Sequence, residues 1–401
     1  MPRRRVMIVA GLVIGALAVA APAAASTPTP TPTSDAPTGT VRVVAADPAD
    51  TQAAASALVA GMSLREKAAA VVMGTIPTTD AGTLRQYMTT TGIGGFILMG
   101  SNVPATEGQL RALTAALTTD PALPPLIAID EEGGDVTRLP WDTYPSSVTL
   151  KDQPAADSEE AFAGRGALVL RAGVGVNFGI IADVTADPSM FIFRRALGTT
   201  PDAGVARVQA AVTGESDDAL STLKHFPGHG SAPGDSHLGI PTTGMSKATW
   251  AATDALPFEA GIKAGAPVLM FGHLRFTSVD SAPASLSATW HKIARDELGF
   301  TGLAITDDLG MLEASGESAL QDPVANAVTA VAAGNDMVLE IMFSNADTAT
   351  RIVDGLVAAV GSGALPAQRL DEAATRVTRL RLELAAEGRG LMPCADCTPA
   401  G

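Results

Sequence analysis

The chain has 401 residues, 46% of them hydrophobic and 17% charged, so it holds enough apolar material for a substantial core and cannot be disordered over most of its length. Its formal net charge is −15, and losing the three arginines of residues 1–25, a stretch without acids, would take it to −18. So acidic a chain is a poor partner for nucleic acid.

The N-terminus, "MPRRRVMIVAGLVIGALAVAAPAAAS", has a basic start, an apolar run from Val6 to Ala20, then Pro22 and three alanines before Ser26. This is the pattern of a signal peptide over residues 1–25, and export to the cell surface or wall is expected. An uncleaved membrane anchor is the alternative, since about 20 apolar residues can span a bilayer. Residues 26–46 open as "STPTPTPTSDAPTGT" and read as an extended Thr-Pro linker. A folded domain is expected over residues 47–388, followed by a tail, 389–401, with "PCADC". In an exported chain Cys394 and Cys397 could close a small disulfide loop. They are too few for a metal site, and no βαβ pattern precedes them to suggest a redox role.

The domain begins with "MSLREKAAAVVMG", where Ser63 and Glu66 form a capping-box signature ahead of an apolar helical face. Strand candidates then follow in series: 70–74, 92–100, 126–130, 175–184, 221–226, 267–273, 302–308 and 336–341. Most are separated by stretches long enough for a crossover helix, such as 107–119 and 324–334. Eight strand-helix units in one domain predict a single (β/α)8 barrel. A doubly wound open sheet would use fewer strands and a Gly-rich first turn. Asp130, Lys224 with His225, His273 and Asp307 each end an apolar run, and in a barrel those ends share the face that carries active sites. The three tryptophans and other aromatics (4% of residues) offer little basis for ligand-stacking platforms; Trp141 and Trp250 read as core or rim.

Residues 224–237, "KHFPGHGSAPGDSH", hold three of the five histidines. His225 and His229 are spaced like the zinc ligands of H-E-x-x-H, but Pro227 and Gly228 between them break the helix that spacing needs, and the Glu is missing. No metal and no cofactor are expected. The stretch closely resembles the hallmark of the β-N-acetylglucosaminidases of glycoside hydrolase family 3. Collinear segments resemble the same family: "IDEEGGDVTRL" (129–139), "VNFGIIADV" (176–184), "RALGTTP" (195–201), "FGH" (271–273) with Asp280, "GLAITDDL" (302–309) and "AGNDMVL" (333–339).

The resemblance implies a retaining mechanism with Asp307 as nucleophile and His237 as acid/base, oriented by Asp235. An imidazole suits that double role, because it gives and regains a proton near neutrality. It also implies that Asp130, Arg138, Arg195, Lys224 and His225 bind the sugar, with His273 and Asp280 behind them and His229 structural. An ion pair between Asp130 and Arg138 is the plainer alternative for those two. Asp308 has opposite strand parity to Asp307, so both should not face the sugar. Gly228, Gly230 and Gly234 would let the His237 loop close over substrate. After the eighth strand no second α/β domain fits, so the barrel must supply its own acid.

Four departures from the family pattern stand out. Asp135 replaces a common Arg, and Glu131 a common Gln. "ADPSMFIFRRALG" stands for N-P-x-x-P-V-I-G-x-R-S-F-G, with Arg195 rather than Arg194 in register, and "VLEIMF" lacks the usual Pro and Asp after strand eight. The expected protein is a monomeric exo-β-N-acetylglucosaminidase acting on GlcNAc-terminated peptidoglycan fragments or chitin-type sugars near the cell wall. A β-glucosidase on an unsubstituted sugar, or a catalytically silent glycan-binding wall protein, are the alternatives.

Overall fold

The computed structural model describes residues 48–388. The expected signal peptide (1–25), linker (26–46), tail (389–401) and the Cys394–Cys397 pair lie outside the described residues. Each predicted strand is present, seven of them within shorter limits and β5 one residue longer: β1 (Val72–Gly74), β2 (Gly95–Leu98), β3 (Leu126–Ile129), β4 (Val176–Ile181), β5 (Leu220–Phe226), β6 (Val268–Phe271), β7 (Leu303–Asp308) and β8 (Met337–Leu339). All pair in parallel in chain order, and β8 returns to β1 to close the barrel. A closed barrel leaves no edge strand, and the open-sheet alternative is excluded.

Strand parity explains both the core and the site. Leu126 and Ala128, Leu220, Val268 and Met270, Leu303 and Ile305, and Met337 and Leu339 fall in one buried cluster inside the barrel. Their neighbours of opposite parity, such as Ile127, Ile129 and Val338, pack outward against helices. Extending the inward parity past the last apolar residue reaches Asp130 on β3, Lys224 on β5 and Asp307 on β7. Polar side chains therefore take over from the apolar fill where the barrel opens at its C-terminal end. Register shifts between Asn177 and Ile180 and between Leu223 and Phe226 fall near that end, where such irregularities re-aim side chains.

Helices begin where short polar residues and prolines dictate. Asp80, Thr106 and Thr200 cap the helices α3 (Ala81–Thr91), α4 (Glu107–Leu117) and the later Pro201–Glu215, and Asp322 precedes Pro323–Ala333. The predicted capping box is formed: Ser63 accepts from the Glu66 N–H, and Glu66 accepts from the Ser63 N–H at 2.7 Å, opening α2 (Leu64–Ala70) after α1 (Pro48–Gly61). The last helix, Ala367–Glu387, lays Val377, Leu380 and Leu384 against the barrel's N-terminal end. Arg295, Arg369 and Arg376 there converge on the fully buried Asp336 at 2.6, 2.6 and 2.9 Å. The N-terminal end thus carries stability and leaves the opposite end to function.

Candidate active site

A pocket opens among the C-terminal ends of the strands. Its polar lining includes Asp130, Glu132, Arg138, Arg195, Lys224, His225, His237, Asp307 and Asp308, and Met99, Val136, Met311, Ile341 and Met342 supply an apolar wall. All of the residues expected to touch sugar therefore reach one cavity.

On one side the charges are matched pairwise. The Lys224 ammonium donates to Asp130 at 2.8 Å and sits 2.8 Å from Glu132. Arg195 grips Glu132 through two parallel bonds of 2.8 Å, and Arg138 reaches Asp130 at 3.2 Å. Burial opposes the charge on Asp130, yet Lys224 and Arg138 outweigh it and bring the carboxyl down to about 2. Burial likewise works against Lys224, and Asp130 with Glu132 more than restore its charge.

His225 is held by Asp183, which accepts from its ring Nδ1 at 2.8 Å and from its backbone N–H at 3.1 Å. That arrangement leaves Nε2 facing Arg195 at 3.4 Å. Burial first, and then Arg195, hold His225 well below the ordinary imidazole value. Across the pocket, His237 is half-exposed and its Nδ1 lies 2.8 Å from Asp235.

Asp307 and Asp308 part as their parity predicts. The Asp308 carboxylate turns away to accept the backbone N–H groups of Gly310, Ile341 and Met342 at 3.0, 2.8 and 2.9 Å. Asp307 accepts the Asp308 N–H at 2.8 Å and faces the cavity. Burial pushes Asp307 up, but His225, His273, that N–H and Lys224 together hold it below the usual aspartate value. Behind it, His273 bridges the Asp308 carbonyl and the Ser285 hydroxyl, both at 2.7 Å. Asp280 lies further back, accepting from Ser287 and the Ala282 N–H.

A family model described as the glycosyl hydrolase family 3 N terminal domain matches residues 37–380. This chain belongs to glycoside hydrolase family 3. A beta-hexosaminidase of Alkalilimnicola ehrlichii is 35% identical over 258 residues, 62% of this chain and 73% of that protein. One from Xylella fastidiosa is 31% identical over 315 residues, 74% and 92% of the two chains. The solved structure of a family 3 beta-N-acetylglucosaminidase from Paenibacillus sp. str. FPU-7 superposes with a TM-score of 0.76 at 31% identity, covering 81% of this chain. This chain spans 63% of that longer one. The protein is a glycoside hydrolase with a single (β/α)8 barrel.

The geometry accounts for two departures of this family 3 member. Asp135 meets Arg194 in an exposed two-bond pair at 2.6 and 2.9 Å, so the unusual residues of two loops are partners. Arg194 thereby leaves the pocket to Arg195, the register expected from sequence. Glu131 is pushed up to about 8 by burial, and its carboxyl accepts the N–H groups of Leu139 and Arg138. A Gln side-chain oxygen accepts the same two N–H groups, so the substitution keeps these contacts.

One expectation needs correction. Gly228 and Gly230 are placed by close packing and not by open space around them: a Cβ at Gly230 would meet the Val184 carbonyl at 1.8 Å, and one at Gly228 would meet Asp254 at 2.9 Å. Both are wedged against neighbours. Of the three, Gly234 stands in open space, with φ +115 and nothing nearer than 4.0 Å. His229 is buried, with its backbone N–H on Asp183. Trp250 is core, its indole donating to the Pro227 carbonyl at 2.8 Å, and Trp141 is half-buried.

Glu132 and Asp183 were missed by the sequence reading. Glu132 had a signal, since it shares the parity of Asp130 two residues earlier. Asp183 follows the apolar run of β4 as Asp130 follows that of β3, and would have been found by treating all eight strand ends alike.

Proposed function

We propose that this glycoside hydrolase is a retaining exo-β-N-acetylglucosaminidase in which Asp307 attacks the anomeric carbon and His237 serves as acid and then base. The observation that carries the reading is how the pocket's carboxylates are committed. Asp130 and Glu132 are neutralised by Lys224, Arg138 and Arg195, and Asp308 is occupied by three backbone N–H groups. Among the described pocket-lining residues this leaves Asp307 as the carboxylate that faces the cavity without a Lys or Arg bound to it; burial pushes Asp308 up to about 6, but its oxygens are turned to those N–H groups and not to a substrate. Retention needs a proton donor, and His237, with Nδ1 turned to Asp235 and its other nitrogen uncommitted, supplies the proton.

In the first step an Asp307 oxygen bonds to the anomeric carbon as His237 passes its Nε2 proton to the departing glycosidic oxygen. In the second, His237 takes a proton from water, the resulting oxygen attacks the same carbon, and the Asp307–sugar bond breaks. The Asp130–Lys224–Glu132–Arg195 array faces the sugar hydroxyls, and a substrate lacking one would leave charged groups unpaired. A GlcNAc substrate is supported by the names of the relatives. Peptidoglycan fragments as the substrate, and action at the cell wall, rest on the N-terminal sequence of residues 1–46.

Hydrolysis of p-nitrophenyl β-N-acetylglucosaminide is expected to exceed that of the β-glucoside, and a fluorosugar inactivator is expected to label Asp307. Preference for the glucoside would sink the substrate assignment, and an adduct on another residue would sink the nucleophile. Binding of muropeptides without turnover of any glycoside would favour the silent binding protein.

A further inference from the structure

The bond between Asp235 and His237 joins two residues of one loop, so it orients the imidazole on that loop without fixing the loop over Asp307. A contact from elsewhere in the fold is supplied by Phe191. Its ring centroid lies 5.6 Å from that of His237, at 69° and so edge to face, and 5.5 Å from that of His229. The Arg195 guanidinium lies 5.7 Å over the same ring. Phe191 belongs to the loop after β4, and its neighbour Ile192 is buried with Ile181 and Ala196. Arg195 is itself clamped to Glu132 on the β3 side. The ring is therefore braced by the barrel and not by the loop it touches.

Position 191 also falls within the unusual stretch "SMFIFRRALG". In the register set by Arg195, the family pattern places an aliphatic residue there.

We propose that Phe191 is a positioning residue that docks His237 over the pocket, acting through the imidazole. The inference rests on the reading of His237 as acid/base. Edge-to-face aromatic pairs contribute enough to shift a docking equilibrium by about tenfold. Removing the ring should therefore slow steps in which His237 transfers a proton and leave others alone.

The test compares kcat/KM of the full chain for two substrates: 2,4-dinitrophenyl β-N-acetylglucosaminide, whose leaving group departs without protonation, and a GlcNAc-terminated disaccharide, whose leaving group needs it. Phe191→Ala is expected to lose about tenfold on the disaccharide and under twofold on the dinitrophenyl glycoside. Combined with His237→Ala it should cause no further loss on either, since its effect passes through the missing ring. Phe191→Leu keeps apolar bulk without the aromatic edge and should behave like Phe191→Ala, which separates the docking effect from misfolding.

Equal losses on both substrates, additive losses in the double variant, or full activity of Phe191→Ala on the disaccharide would each overturn the proposal. If His237→Ala shows the leaving-group dependence and the Phe191 variants do not, the positioning role alone fails. If His237→Ala shows none, the acid/base assignment fails and takes this inference with it.

Discussion

Two adjacent aspartates at the end of β7 should fail in opposite ways when replaced. The Asp308 carboxylate is the acceptor for the N–H groups of Gly310, Ile341 and Met342, and the last two belong to the chain leaving β8. Asp308→Ala orphans all three donors in a site where Asp308 itself is buried. Each orphaned buried donor costs about 1–3 kcal/mol. Water reaching them from the pocket favours the lower end, so a total of about 3–6 kcal/mol is expected. With an unfolding entropy of about 2.1 cal/mol/K per residue over the described span, each kcal/mol moves Tm by roughly 1.4 °C, giving a fall of about 4–8 °C.

Asp307→Ala removes one acceptor of the Asp308 N–H and a carboxylate whose neighbours outweigh its burial penalty, a smaller loss than three orphaned donors. Its Tm should stay within about 2 °C of the parent while glycoside hydrolysis is lost. Differential scanning calorimetry of both variants, beside their rates on p-nitrophenyl β-N-acetylglucosaminide, reads the contrast. Equal destabilisation, or a larger fall for Asp307→Ala, would refute the division of labour drawn from strand parity.

Lys224→Met should be costly in both respects, because it leaves Asp130 and Glu132 buried with one arginine each; a loss of about 3–5 kcal/mol in urea unfolding is expected together with a raised KM. Asp135→Ala breaks a pair whose side chains are 41% and 63% exposed, and should change stability by less than about 1 kcal/mol. Glu340 is pushed up to about 9, by burial first and then by Asp308 and Glu313. A raised folded-state pKa gives a contribution that is complete below about pH 4.5 and is lost as pH rises towards 9, at up to about 1.4 kcal/mol per pH unit. Glu340→Gln should therefore flatten the fall of Tm between pH 6 and 9, and an unchanged slope would show that Glu340 is already ionised at neutral pH.

Much of this protein could be read along the chain because the relevant physics is local. The series of eight short apolar runs, the caps before the helices, and the acid or base that ends the inward-facing rows of β3, β5 and β7 all follow from backbone geometry over a few residues. Asp130, Lys224 and Asp307 were legible on those terms, and so was the separation of Asp307 from Asp308. The partnerships were not. Asp183 is 42 positions from His225 and Glu132 is 63 from Arg195. Asp135 with Arg194 looked like two unrelated departures until closure of the barrel set their loops side by side. The glycines of the histidine-rich stretch show the limit most plainly: Gly228, Gly230 and Gly234 read alike in sequence, yet the first two are required by neighbours from the segments after β5 and β4, and only the packing around each distinguishes a wedge from open space.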